Sequence, residues 1–118
     1  EAFLERFPVT FEQEYPPVSV EKRILGGVAS HLGVTDTNFI ARLVDWGDII
    51  RKTFYDGGIE EIISTRRLVH IVRAFSIFKN KSKALQVCIN RFDDETKQAF
   101  LELYDKVDAE FELPNKEN

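Results

Sequence analysis

Apolar positions recur at three- and four-residue steps along most of the chain, a period that predicts helices. Val20, Ile24, Leu25, Val28 and Leu32 form one apolar stripe, on a helix capped by Ser19 and ended by Gly33. Gly26-Gly27 falls inside that stripe, weakens it by roughly 1 kcal/mol per glycine relative to alanine, and marks close packing or a break. A second stripe follows the cap cluster Thr35-Asp36-Thr37 and runs to about Tyr55: Phe39, Ile40, Leu43, Trp46, Ile50 and Phe54. Buried, each such side chain contributes roughly 1.5–3 kcal/mol, more than any surface ion pair on the opposite face. Asp56-Gly57-Gly58 is a strong turn.

The third stripe is Leu68, Ile71, Val72, Phe75 and Phe78, behind the cap pair Ser64-Thr65. Lys79-Asn80-Lys81 is a short connection to a helix capped by Ser82 and ending near Asn90. Asp93, Asp94 and Glu95 suit the start of a last helix, where the dipole favours negative charge. Its inward positions are Ala99, Phe100, Leu103, Tyr104, Val107 and Phe111, and Leu113-Pro114 ends the order ahead of a frayed tail, 113–118.

The first residues follow another rule. Ala2 to Arg6 reads as the end of a helix, after which Phe7, Val9 and Phe11 alternate with Pro8, Thr10 and Glu12 as in a strand covered on one face. Pro8 lacks a donor and belongs at the start or edge of that strand, and Tyr15-Pro16-Pro17 stops it. No second strand is legible downstream, and the chain begins without Met inside what reads as a helix. Both features suggest a piece of a longer protein that holds the strand's partner, with the strand expected to be poorly ordered in this piece alone. The expected fold is mainly α, a small bundle of about five helices preceded by a short leftover strand.

The 118 residues allow one domain with a modest core, and the 43% hydrophobic fraction is ordinary for a globular chain. No apolar run is long enough to span a bilayer, and no signal-peptide pattern is present. The single cysteine, Cys88, sits between Val87 and Ile89 and reads as a buried, inert thiol, which suits a reducing cytosol. A formal charge of −4 hides an uneven distribution. From Ile62 to Phe92 there is no acid, only Arg66, Arg67, Arg73, Lys79, Lys81, Lys83 and Arg91; from Asp93 onward acids dominate. A basic centre beside an acidic tail serves a phosphate ligand, a subunit interface or an internal charge match. The overall sign and the lack of a recognised motif argue against nucleic acid.

No complete active site is visible. His31 and His70 have no cysteine or carboxylate at a usual zinc spacing, and no phosphate loop, nucleophile elbow or H-E-x-x-H occurs. Glu60-Glu61 and Asp93-Asp94 read as solvation and capping. The oddity is Arg66-Arg67 in the first turn of a helix, where positive charge opposes the dipole at roughly 0.3–1 kcal/mol. An anion held between free N–H groups and the Arg66 guanidinium would explain it; a solvated arginine pair is the plainer explanation.

Leu4-Glu5-Arg6-Phe7-Pro8-Val9, followed by Tyr15-Pro16, resembles the end of an AAA+ ATPase core, where an L-x-R-F segment leads into the last strand of the nucleotide-binding sheet. The stretch from Asp48-Ile49-Ile50-Arg51 to Ile63-Ser64-Thr65-Arg66-Arg67 resembles the S-[PT]-R start of the lid helix in the MoxR and chelatase branch. The order and spacing look most like the ATPase subunit of aerobic cobaltochelatase (CobS-type), and the likeness runs on to about Tyr104. Thr65 stands where relatives commonly have proline.

The resemblance implies a remnant of the large subdomain over 1–17 and a helical lid over 18–112. It implies that Arg6 is an arginine finger reaching the neighbouring subunit's ATP site, a catalytic role, and that Arg66 is the sensor-2 arginine that reads the γ-phosphate. It also implies ATP and Mg²⁺ in the parent protein, a homo-oligomeric and hexameric ring, and a remodelled partner, such as a chelatase subunit. The phosphate loop, the Mg²⁺-binding acids and sensor 1 would lie upstream of Glu1, so no activity is expected from this part alone. A stand-alone helical interaction domain, with the arginines matched to acidic partners, is the alternative.

Overall fold

In the computed structural model, residues 16–108 are described, and they form five α-helices and no strand. The helices are α1 (Val18–Leu32), α2 (Thr37–Tyr55), α3 (Thr65–Phe78), α4 (Lys81–Ile89) and α5 (Asp94–Val107). The expected strand over Phe7 to Phe11 and the expected tail lie outside the described residues. The helical bundle itself is present. α2 and α3 each touch three other helices, and α5 closes the bundle against α2 and α4.

Side-chain caps set most of the boundaries. Asp36 Oδ1 accepts the Phe39 N–H at 3.0 Å, Ser64 Oγ the Arg67 N–H at 3.1 Å, and Asp93 Oδ1 the Thr96 N–H at 2.8 Å. Gly33 ends α1 at φ 79, a left-handed conformation that costs glycine nothing. Two expected caps are wrong. Ser19 lies inside α1, which begins directly after Pro17 without a side-chain cap, and the α4 cap is Asn80, whose Oδ1 accepts the Lys83 N–H at 2.8 Å. Ser82 is one residue into α4 and its hydroxyl accepts from Gln86. Nor does Gly26-Gly27 mark a break or a close approach, since α1 runs through it and a Cβ at either glycine would meet nothing within 4 Å.

Trp46 is wholly buried at the centre, its indole N–H donating to the Phe100 carbonyl at 2.8 Å, with Phe100 and Tyr104 set edge-on to its ring. Leu43, Ile50, Leu68, Ile71, Val72, Leu85 and Ile89 fill the space around it. On α5 the core side chains are Phe100, Leu101 and Tyr104; Ala99 and Leu103 are only half-buried. The α1 stripe is also turned from the expected one. Glu21, Leu25 and Ala29 face inward, leaving Ile24 at 41% and Leu32 at 36% exposure. The physical reason is a partner: buried Arg51 on α2 receives the Glu21 carboxylate and lets α1 rotate it into the core.

Candidate functional site

The loop after α2 turns at Gly57 (φ 85) and carries Ile63 into the core before α3 starts. Arg51 Nε donates to the Ile63 carbonyl at 3.0 Å, and its two terminal nitrogens donate to the two Glu21 oxygens at 2.8 Å each. The Thr65 hydroxyl donates to Glu21 Oε2 at 2.7 Å. Glu21 is fully buried and Arg51 nearly so, and among the described residues no buried side-chain polar atom lacks a partner. This bidentate pair of charges therefore has the geometry that offsets desolvation. Gly47 makes the room: a Cβ there would sit 3.1 Å from Leu68 Cδ1 and 3.6 Å from Arg51 Nη2.

Above this fork the two adjacent arginines part company. Arg67 reaches inward, donating to the Cys88 carbonyl at 3.2 Å with its guanidinium 5.8 Å from the Phe92 ring centroid. It thus satisfies a carbonyl left open at the C-terminus of α4, where positive charge also suits the dipole. Arg66 is exposed and, among the described residues, makes no hydrogen bond, ion pair or ring contact. The first turn contains no acid. An exposed guanidinium beside the first N–H groups of a rigidly held helix is able to receive an anion.

Arg6 lies outside the described residues. Of the basic central stretch, only Lys81 finds a carboxylate among the described residues: Asp108 Oδ2 at 3.3 Å, which also accepts the Tyr104 hydroxyl at 2.8 Å. Cys88 is half-buried, and burial pushes its thiol up, partly opposed by the charge of Arg67. The described residues hold no group of three metal-ligating side chains. A groove of about 550 Å³ opens between α1 and α3, lined by Val20, Ile24, Val28, Arg23 and Arg73, but not by Arg66.

Sequence reasoning passed over Glu21 and Arg51 as site residues. A signal was present: Leu43, Gly47 and Arg51 fall at four-residue steps, which puts Arg51 on the apolar face of α2.

Residues 21–107 match the family model described as CbbQ/NirQ/NorQ C-terminal. With the helical bundle, that match makes this the helical lid region of a MoxR-like AAA+ ATPase, its C-terminal part. The chain belongs to the CbbQ/NirQ/NorQ C-terminal family. No curated protein and no solved structure matches it. Among the described residues no helix is long and apolar enough to cross a membrane.

Proposed function

We propose that this lid works in a ring of identical subunits that hydrolyses ATP with Mg²⁺ and uses the resulting lid movement to remodel a protein partner. In this reading Arg66 is the sensor-2 residue. Its guanidinium meets the γ-phosphate beside the open N–H groups of α3 and relays the loss of that phosphate to the lid. Arg6 is the arginine finger of the neighbouring site, stabilising charge on the transferring phosphoryl group. The phosphate loop and the Mg²⁺ ligands then belong to the ATPase core. A chelatase partner, as in cobaltochelatase, is a finer proposal within the same scheme.

The observation that carries the proposal is the difference between neighbours at the start of α3. Ser64, Thr65 and Arg67 are tied down by hydrogen bonds, while Arg66 is exposed and unengaged among the described residues. The test is steady-state ATP turnover of the full-length protein. Arg66→Ala is expected to cost on the order of 10²-fold. Arg6→Ala is expected to cost roughly 10³-fold or more. Near-wild-type turnover in both variants removes the assigned roles.

A further inference from the structure

The fork beneath Arg66 calls for a reason beyond stability. A buried carboxylate–guanidinium pair is commonly no more stabilising than well-packed apolar side chains of the same volume. Yet this pair occupies the core at the meeting of α1, α2 and the start of α3. Its outer contacts fall on one short stretch. Arg51 holds the Ile63 carbonyl, Glu21 holds the Thr65 hydroxyl, and Ser64 between them caps the helix through its own hydroxyl. Three consecutive residues ahead of Arg66 are thus fixed by polar contacts.

We propose that Glu21, Arg51 and Thr65 are positioning residues that aim the Arg66 guanidinium at its phosphate. The inference rests on the nucleotide reading given above. Thr65 is its most specific member, because proline at the same place of the motif has no hydroxyl to offer Glu21. Since Glu21 lies in the first turn of α1, the fork also makes the start of the lid and the base of Arg66 one mechanical unit.

The experiment is a double-mutant cycle in the full-length ATPase, with Thr65→Val and Arg66→Ala made singly and together and turnover normalised to folded protein. Thr65→Val removes the hydroxyl and leaves both Glu21–Arg51 contacts in place. It is expected to lower kcat on the order of tenfold, as misaimed catalytic groups do. Thr65→Ser keeps the hydroxyl and is expected to restore most of that loss. In the Arg66→Ala background Thr65→Val is expected to cost nothing further. Thr65→Ala gives the same readout without a second branched methyl. An equal loss in both backgrounds would make the fork a structural clamp and overturn the inference, as would wild-type turnover in Thr65→Val. If Arg66→Ala alone keeps wild-type turnover, the nucleotide reading itself fails and the inference falls with it.

Discussion

Two buried polar networks tie this bundle, and they differ in what lies above them. At the start of α3, Glu21, Arg51 and Thr65 join three elements, with both charges out of water and every contact at 3.0 Å or less. At the other, the buried Asp108 carboxylate takes the Tyr104 hydroxyl and a longer contact from Lys81, whose side chain is still 26% exposed. Lys81 also lies 5.8 Å from the Phe39 ring centroid. The second network fastens the end of α5 to the start of α4. The first ends next to the exposed Arg66. Both networks join helices, but the first ends on Thr65, the residue before Arg66, whereas the second ends on Lys81 at the start of α4.

The largest effect is expected from breaking the first network on one side. Glu21→Ala leaves Arg51 buried without its carboxylate and should cost about 3–5 kcal/mol, read as a fall in the urea midpoint. Replacing both charges, Glu21→Leu with Arg51→Met, should recover most of that stability while turnover per folded full-length molecule stays low. Recovery of both would erase the distinction between the two networks. Asp108→Ala removes the carboxylate that accepts the Tyr104 hydroxyl and should cost about 1–3 kcal/mol, with turnover per folded molecule unchanged.

Alkali should loosen the second network selectively. Burial first, then the hydrogen bond and charge of Asp108, push the Tyr104 phenol well above its usual range. In the unfolded chain it ionises near pH 10 or so. Above roughly that pH the unfolded state binds fewer protons than the folded one, so stability falls as pH rises, and below it the full contribution remains. Urea midpoints at alkaline pH should show this slope in the wild type, with Tyr104→Phe flattening it. The smallest effect is expected from Gly47→Ala. Alanine adds about 1 kcal/mol of helix propensity, but its Cβ lies 3.1 Å from the wholly buried Leu68 and crowds Arg51, so a net loss of about 1 kcal/mol is expected.

The helices were legible because their signals are local. Asp36, Ser64 and Asp93 cap from within three residues, and Gly33 supplies its own left-handed turn. The inward face of α1 was not. Periodicity assigns inside and outside by apolarity alone, and so favoured Ile24 and Leu32 over Glu21. What places that carboxylate inside is Arg51, 30 residues away, with Thr65 a further partner 44 residues away. On α5, Leu101 took a core place that a single stripe had given to Ala99 and Leu103, because both α2 and α4 cover that helix. The caps at Ser19 and Ser82 failed for a smaller reason: Asn80 and the chain after Pro17 start their helices a step or two earlier. At the site, the oddity of two arginines in a first turn was visible in the residues, but their division of labour was not. Arg67 is occupied by the Cys88 carbonyl on another helix, a contact 21 residues distant that no local spacing encodes.

The most direct test sets those neighbours side by side in the full-length ATPase, measuring ATP turnover per folded molecule together with the melting midpoint. Arg66→Ala should keep the wild-type midpoint and lose turnover on the order of 10²-fold. Arg67→Ala should melt lower, by the loss of about 1–2 kcal/mol of hydrogen bond and ring contact, and keep its turnover. The reverse result, a silent Arg66→Ala beside an Arg67→Ala that folds normally but no longer turns over, would contradict the assignment of Arg66 to the phosphate.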